Sequence, residues 1–202
     1  AEKVKNIEKI TNHDVKAIEY YVKDRLKEQP ELVELIEWIH FACTSEDINN
    51  TAYAIMLNHA RSDVLMNVMK TLTEEINLMA NSNASVAMLS RTHGQVASPT
   101  TLGKEFRNSS ERLKRQLVQF EKLEILGKFN GAVGNFNAHQ SAYPNLDWPT
   151  LSADFLDRLG LSINKYPTQI EPHDYIAEMF DCLKRFNQIL LDFDRDIWSY
   201  VS

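Results

Sequence analysis

Apolar residues recur every three or four positions along most of this sequence, which is the spacing of an amphipathic helix. The longest such run follows the polar segment Thr44–Asp47 and continues to about Asn81. Because a helix with two apolar stripes is buried on more than one side, its pattern predicts an interior helix of a bundle. One stripe contains Ile48, Ala52, Ile55, His59, Ser62, Met66, Met69, Thr73, Ile76 and Ala80, and the other contains Leu57, Val64, Val68, Leu72 and Met79.

The same spacing predicts a long helix at the end of the chain, beginning near Asp174. Its stripe reads Ile176, Phe180, Leu183, Asn187, Leu190, Asp194, Ile197 and Val201. Asn187 and Asp194 interrupt the apolar seam, and polar residues in such positions can fix helix register or the choice of partner.

Other helices are predicted on both sides of the longest one. An N-terminal helix carries Val15, Ile18, Val22 and Leu26 after the capping residues Asn12 and Asp14, and it ends before Pro30. A central helix is predicted to start at Ser98-Pro99, with serine as the N-cap, and to end at Gly127. Shorter elements are apolar or amphipathic helices at 32–41 and 147–160, extended segments at 86–89 and 163–170, and a hairpin or paired turns at 130–135.

These elements predict an all-α fold, an elongated bundle of long antiparallel helices with a small hairpin or extended segments between them. A chain of 202 residues is too small to cover every apolar face of helices this long. We therefore expect copies of the chain to pack side by side in a homo-oligomer.

Composition narrows the class of protein only slightly. Hydrophobic residues make up 44% and charged residues 25%, as in ordinary globular proteins. The net charge is −6 and no basic stripe is present, which argues against nucleic-acid binding. No apolar run approaches ~20 residues, so no membrane span is predicted. The two cysteines lack metal-ligand spacing and are expected to be reduced thiols in the cytoplasm, with a disulfide as the alternative.

Four polar clusters fall at helix ends or between helices: Thr11–Asp14, Thr44–Asp47, Ser90–Gln95 and Thr168–Asp174. A helix start offers free backbone N–H groups and the positive end of a dipole, which suit carboxylate or phosphate groups of a ligand. Within Ser90–Gln95, His93 is the side chain that changes charge near neutral pH, so it is a candidate general acid or base.

Each cluster also has a purely structural interpretation. Asn12 and Asp14 can simply cap a helix, and Thr44 and Ser45 can form a capping turn. Gln169 and His173 can serve only as hydrogen-bond partners of the backbone, and His93 can be a surface histidine. His59 is expected to be packed, and His139 to be structural. No metal-ligand spacing, Gly-rich phosphate loop or serine nucleophile elbow is present.

Taken together, the clusters resemble the adenylosuccinate lyases of the fumarase/aspartase superfamily, in their bacterial long-chain form. The strings are Thr-Asn-His-Asp-Val-Lys-Ala from Thr11, His-Phe-Ala-Cys-Thr-Ser-Glu-Asp-Ile-Asn-Asn from His40, Ser-Arg-Thr-His-Gly-Gln from Ser90, Asn-Gly-Ala-Val-Gly-Asn from Asn130 and Gln-Ile-Glu-Pro-His-Asp-Tyr-Ile-Ala-Glu from Gln169. The resemblance spans nearly the whole chain, and five separate strings make it specific.

The resemblance implies a carbon–nitrogen lyase of purine biosynthesis. Such enzymes release fumarate by β-elimination from adenylosuccinate, giving AMP, and from succinyl-aminoimidazole-carboxamide ribotide. It implies no cofactor and no metal, and a cytoplasmic homotetramer whose active sites are shared between subunits.

The resemblance also assigns roles to residues of this chain. His93 matches the family's general acid, and His13 matches a residue that orients the substrate or aids proton transfer. The other matches are substrate contacts, with His40 next to the substrate phosphate: Asn12, His13, Asp14, His40, Thr44, Ser45 and Gln169.

One family feature is absent from the sequence: the Ser-Ser-x-Met-Pro-x-Lys-x-Asn loop, which supplies the serine that acts as the catalytic base. We therefore expect residues 1–202 to be a single central helical-bundle domain, without the parent's N-terminal segment and C-terminal domain, and to be inactive alone. The alternatives are another lyase of the superfamily, acting on fumarate, aspartate or argininosuccinate, and a non-catalytic helical oligomerisation scaffold.

Overall fold

A computed structural model of the chain describes residues 1–201. The elements in chain order are α1 (Glu2–Thr11), α2 (Asp14–Lys27), a 3₁₀ helix (Pro30–Trp38), α3 (Ser45–His59), a π-helical segment (Ala60–Leu65), α4 (Met66–Ser82), β1 (Ala87–Thr92), β2 (Gln95–Thr101), α5 (Leu102–Glu121), β3 (Leu126–Gly127), α6 (Asn137–Ala142), α7 (Trp148–Arg158), β4 (Ser162–Ile163) and α8 (Asp174–Val201). Helices dominate, which confirms the predicted all-α class.

The chain forms two compact units. The first comprises Ala1–Asn58 and Ile125–His173, and the second comprises His59–Glu124 together with α8. The chain therefore leaves the first unit after α3 and returns to it before β3, so each unit is built from segments that are distant in sequence.

The second unit is built from α4, α5 and α8, which pack as antiparallel neighbours. Along α4 and α5, Lys70 meets Glu121 at one end, while Asn77 meets Arg107 towards the other. Along α5 and α8, the rings of Phe106 and Phe193 lie 5.9 Å apart. The apolar core of this unit contains Met66, Met69, Ile76, Ala80, Phe106, Leu113, Phe120, Met179, Cys182, Phe186 and Ile189.

The strands β1 and β2 form an antiparallel hairpin between α4 and α5. Ser98 and Pro99 lie in β2, so the predicted helix start there is wrong; α5 begins at Leu102, and the Thr101 side chain accepts a hydrogen bond from Lys104 N–H. Both strands of a two-stranded sheet are edge strands, which is why Pro99 is tolerated opposite Leu89.

The stripe predicted for the longest helical run is only half correct. Its second half is confirmed, because Met66, Met69, Thr73, Ile76 and Ala80 are all buried. In α3, however, Ala52 and His59 are exposed, and the buried residues are Asp47, Asn50, Thr51 and Ala54. The prediction missed this face because three of its four residues are polar.

The C-terminal helix begins at Asp174 as predicted, but the face it buries in this chain lies one residue away from the predicted stripe. It contains Tyr175, Met179, Cys182, Phe186 and Ile189. Asn187 and Asp194 are exposed, so neither is part of a seam within this chain.

Several shorter elements also differ from expectation. The apolar segment expected as a helix at 32–41 is a 3₁₀ helix, and the extended segment expected at 163–170 is a strand only over Ser162–Ile163. The residues 130–135 form turns, which is one of the two structures expected there, and the hairpin of the fold is the β1–β2 pair. Within residues 1–201, no helix combines the length and apolarity that crossing a lipid bilayer requires.

Candidate functional site

The candidate site in the first unit is centred on the N-terminal end of α3. Thr44 immediately precedes this helix and Ser45 is its first residue. The Asp47 carboxylate folds back and accepts a hydrogen bond from Thr44 N–H at 2.9 Å, which fixes the turn. The hydroxyls of Thr44 and Ser45 thus stand where the helix dipole favours negative charge.

His13 approaches this helix end from the start of α2. Its Nε2 lies 3.3 Å from Ser45 Oγ, and its ring is about half exposed, at 48% of the side-chain surface. His13 also caps α2, because its Nδ1 accepts from Lys16 N–H at 3.3 Å. The Asp14 carboxylate lies 3.3 Å from the same Nδ1. The two contacts of Nδ1 require opposite protonation states, so the ring can hold its proton on either nitrogen.

Gln169 reaches the same helix end from a segment more than a hundred residues away. Its side-chain Nε2 donates to Thr44 Oγ1 at 3.2 Å, while its backbone carbonyl oxygen accepts from Lys128 Nζ at 2.9 Å. Gly134, at φ +81°, lets the backbone pass close to Pro167 O and Thr168 O, where a side chain would clash. The structure therefore places the side chains of Thr44, Ser45, His13 and Gln169 next to one another at this helix end.

The remaining predicted contacts in this unit lie at helix ends or in a turn. Asn12 ends α1 at φ 50°, and its N–H donates to Glu8 O, so it caps the preceding helix rather than α2. Asp14 Oδ1 accepts from Val15 N–H at 2.7 Å. His40 has φ 66° and belongs to the turn that leads into α3, where its carbonyl accepts from Cys43 N–H. Left-handed backbone at non-glycine residues is strained and clusters at functional sites.

His93 belongs to the second unit, at the turn of the β1–β2 hairpin. Thr92 pairs with Gln95, so His93 and Gly94 form a two-residue turn with φ values of 53° and 73°. Such turns require positive φ at both central residues. The side chain is exposed at the tip, and hairpin pairing holds the turn in place.

A buried ion pair that the sequence patterns do not predict lies directly beneath the site. Lys128 Nζ lies 2.8 Å from Asp47 Oδ1, and the two side chains are 0% and 1% exposed. The sequence patterns include Asp47 only as the last residue of the polar cluster Thr44–Asp47, and they do not single out Lys128. A polar face on α3, with Asp47 and Asn50 three residues apart, was the signal that could have revealed it.

A second missed pair borders the site. His173 Nε2 lies 3.3 Å from Glu46 Oε1, and the His173 backbone is left-handed at φ 64°. The neighbouring Glu171 is buried at 1% exposure and accepts two hydrogen bonds from the Asn164 amide. The segment after Gln169 therefore contacts the first turn of α3 through His173, and Glu171 fixes it further by bonding the nearby Asn164.

Titratable groups near the site are shifted chiefly by burial. Burial, and secondarily the Asp47 carboxylate, raises the pKa of the Cys43 thiol to about 12, which keeps this thiol protonated and unreactive. Burial lowers the pKa of His139, which favours its neutral form. Within residues 1–201, no group of three or more His, Cys, Asp or Glu side chains is arranged to hold a metal ion.

Chemically, the cluster can bind an anion and move a proton. Thr44, Ser45 and Gln169 supply hydroxyl and amide donors at a helix N-terminus, which suits a carboxylate. His13 supplies a partly exposed imidazole beside Ser45. His93 supplies a second exposed imidazole on a separate, structured turn.

Sequence comparison identifies close relatives of the chain. A protein family described as lyase matches residues 1–202. Adenylosuccinate lyase from Haemophilus influenzae is 55% identical over 202 residues, covering 100% of this chain and 44% of that protein. Adenylosuccinate lyase from Escherichia coli strain K12 is 54% identical with the same coverage. The chain thus spans less than half the length of these relatives.

Structural comparison gives a consistent fold. Fumarate lyase from Mesorhizobium sp. BNC1 superposes with a TM-score of 0.80 at 17% identity, covering 100% of this chain and 45% of that chain. At this level of identity, the similarity shows a shared fold.

Proposed function

Because the chain belongs to the lyase family that matches its whole length, we propose that it forms the central helical domain of an adenylosuccinate lyase. The observation that carries this proposal is the 54–55% identity to adenylosuccinate lyases over all 202 residues. The cluster of Thr44, Ser45, His13 and Gln169 at one helix end supports it independently.

The proposed reaction is a β-elimination that breaks a carbon–nitrogen bond. A base removes a proton from the carbon next to the one that bears the nitrogen, the C–N bond breaks, and an acid protonates the departing nitrogen. The products are fumarate and AMP, or fumarate and the carboxamide ribotide. Acid–base groups and donors for the dicarboxylate are sufficient, so we propose no cofactor and no metal.

Donors in the first unit are proposed to hold the substrate. The hydroxyls of Thr44 and Ser45, together with the Gln169 amide, suit the carboxylates of the succinyl group, because charge builds up there as the proton leaves. Asn12, at the end of α1, and Asp14, the first residue of α2, flank His13 and are proposed to contact the substrate with it. His40 lies on the turn that leads into α3, where we propose that it contacts the substrate phosphate.

His93 and His13 are proposed to handle protons. His93 is the general acid, presented at the tip of a hairpin that fixes its backbone. His13 orients the substrate or relays a proton, since its ring nitrogens contact Ser45 on one side and Asp14 on the other. The catalytic base is proposed to be the serine of the signature loop, which this sequence does not contain, so the chain alone should not turn over substrate.

A cytoplasmic homotetramer with shared active sites is the proposed assembly. Within the second unit, an apolar stripe along the π-helical segment and α4 stays uncovered, with Val64 57%, Val68 61% and Met79 40% exposed. On α8, Phe180 is 57% exposed. Long helices with such faces are expected to pack against further copies.

The test is fumarate formation from adenylosuccinate by the full-length enzyme that carries this sequence. His93→Ala should lower kcat by about 10²–10⁴-fold, the usual contribution of a general acid. His59→Ala is the matched control, because His59 is exposed and has no proposed role. A His93→Ala enzyme within about tenfold of wild type would remove the general-acid role.

The same assay separates the rival lyases. We expect the full-length enzyme to release fumarate from adenylosuccinate and not from malate, aspartate or argininosuccinate. Release from one of these and not from adenylosuccinate would replace the substrate assignment. No release from any of them by a correctly folded enzyme would favour a scaffold role.

A further inference from the structure

Asp47 and Lys128 form a fully buried ion pair in the first unit, and they lie directly behind the proposed substrate contacts. Burying two charges is expensive, and apolar residues of similar volume often stabilise a protein as well or better. Stability alone therefore does not explain the buried pair. The hydrogen bonds of its two side chains indicate a further role.

The Asp47 carboxylate accepts hydrogen bonds from backbone N–H groups of two distant segments. Its Oδ2 accepts from Thr44 N–H at 2.9 Å and from Gly131 N–H at 3.1 Å, while its Oδ1 accepts from Asn130 N–H at 3.1 Å and from Lys128. One carboxylate thus fixes the turn that carries Thr44 relative to the loop 128–131. A carboxylate with four donors is fully satisfied.

Lys128 extends the same network to the segment of Gln169. Its three ammonium protons have three acceptors: Asp47 Oδ1 at 2.8 Å, Gly131 O at 2.9 Å and Gln169 O at 2.9 Å. The backbone of Lys128 is itself held by Asn50, which accepts from Lys128 N–H at 2.8 Å and donates to Lys128 O at 3.0 Å. Lys128 therefore has little freedom to move relative to α3.

The ion pair determines the relative position of Thr44 and Gln169 at the candidate site. Thr44 is tied to Asp47 and Gln169 is tied to Lys128, so the ion pair sets the separation of these two residues, whose side chains meet at 3.2 Å. The two segments lie 125 positions apart in sequence. An apolar pair of the same volume would fill the space but could not hold both segments by directed hydrogen bonds.

We propose that Asp47 and Lys128 are positioning residues, which hold Thr44 and Gln169 at the separation that the substrate dicarboxylate requires. This inference rests on the proposed lyase function. Neither side chain can touch substrate, because both are buried, so their effect reaches the reaction through Thr44 and Gln169. Misplacement of a binding group by about 1 Å can lower turnover roughly 10²-fold.

The test uses the full-length enzyme and three variants, Lys128→Met, Asp47→Asn and the double variant. The exposed pair Lys27–Asp24, in the same unit, supplies matched controls: Lys27→Met and Asp24→Asn remove the same charges from a 2.9 Å pair that is 62% and 64% exposed. For each protein, kcat per folded enzyme, KM for adenylosuccinate and the thermal midpoint are measured.

The double variant separates positioning from folding, since it leaves no unpaired buried charge. We expect it to recover the part of the thermal midpoint that Lys128→Met loses to the unpaired charge, but not the part that depends on the second acceptor oxygen, which the Asp47→Asn amide lacks. We expect kcat to stay about 10²-fold below wild type. The controls should retain the wild-type kcat and midpoint. Recovery of kcat along with the midpoint, or a double variant that does not fold at all, would overturn the positioning role. An inactive wild-type enzyme would instead count against the proposed function.

Discussion

The two units of this chain bury different kinds of side chain. The second unit has an apolar core, and among residues 1–201 its buried polar side chains are hydroxyls, two of which bond within their own helix: Thr73 to Met69 O and Ser110 to Arg107 O. The first unit instead buries charged and amide side chains, and three of them bond between distant segments: Asp47, Asn50 and Lys128. The buried side chains of Asn130 and Glu171 bond closer in sequence, to Gly134 O and to the Asn164 amide.

This difference separates two tasks. Apolar packing is non-directional and tolerates small adjustments, so it suits a unit that mainly supports a hairpin and the helix faces. Hydrogen bonds to a buried carboxylate and ammonium fix direction and distance, so they suit a unit that must hold several ligand contacts in place. The proposed substrate contacts Thr44, Ser45 and Gln169 accordingly lie on the polar core.

The largest expected effect is in the polar core. Lys128→Met leaves the Asp47 carboxylate buried without its counter-charge, and should lower the free energy of unfolding by about 3–5 kcal/mol in urea denaturation. Adding Asp47→Asn should restore part of that loss, because the amide is neutral but keeps only one of the two acceptor oxygens. Lys27→Met, in the exposed pair, should change it by no more than about 1 kcal/mol. Equal effects of the two lysine substitutions would mean that burial of the pair is unimportant.

Truncation in the apolar core should have a similar or slightly smaller effect. Leu113 is 0% exposed on α5, and Leu113→Ala should lower the free energy of unfolding by about 2–5 kcal/mol, because it removes buried methyl groups and leaves a cavity. The control is Val118→Ala, on the same helix and 44% exposed, with an expected change within about 0.5 kcal/mol. A Leu113→Ala variant as stable as wild type would contradict the described core.

A smaller effect is expected at Gly103, where the first turn of α5 lies close to the backbone at the end of α4. A Cβ at Gly103 would meet Ala80 O and the backbone of Ala84, so Gly103→Ala must push the two helices apart. We expect a loss of about 1–3 kcal/mol, the usual cost of overpacking, in the same urea assay. Ser82→Ala, at an exposed position near the end of α4, is the control. Unchanged stability of Gly103→Ala would show that the helices can separate without cost.

The smallest expected effect is a pH dependence of the stability of the first unit, caused by His139. Burial lowers the pKa of this histidine below its ordinary value of 6.5, so the unfolded chain binds its proton first as pH falls. Stability is therefore present above pH 6.5 and is lost progressively as pH decreases below that value. His139→Phe should reduce the slope of the urea midpoint between pH 7.5 and 5.5. An unchanged slope would assign the dependence to other groups.

Sequence periodicity predicted the apolar unit better than the polar one. The buried half of the long stripe, Met66 to Ala80, and the start of α8 at Asp174 are confirmed, because apolar spacing reports directly on apolar burial. The same reasoning was wrong in α3, where the buried face carries Asp47 and Asn50. It was also wrong at Ser98-Pro99, where a helix-start signal lies inside an edge strand.

The candidate site shows the same limit. The clusters around Thr44, His13 and Gln169 were visible as polar residues at helix ends, and the structure brings them together. Lys128 was not visible, since its partners Asp47 and Gln169 lie 81 and 41 positions away and a single sequence does not record which distant residues meet. The structural role of a buried polar residue depends on its hydrogen-bond partner, and the sequence does not identify that partner when it is distant.

The most direct test of the central claim is amide hydrogen exchange of the wild-type protein, followed residue by residue. The N–H groups of Thr44, Asn130 and Gly131 bond the Asp47 carboxylate. We expect these amides to be protected from exchange to the same order as the amide of Leu113 in the apolar core. Exchange of these three amides as fast as at the exposed hairpin turn would show that the polar core does not hold the site rigid, and would contradict the account.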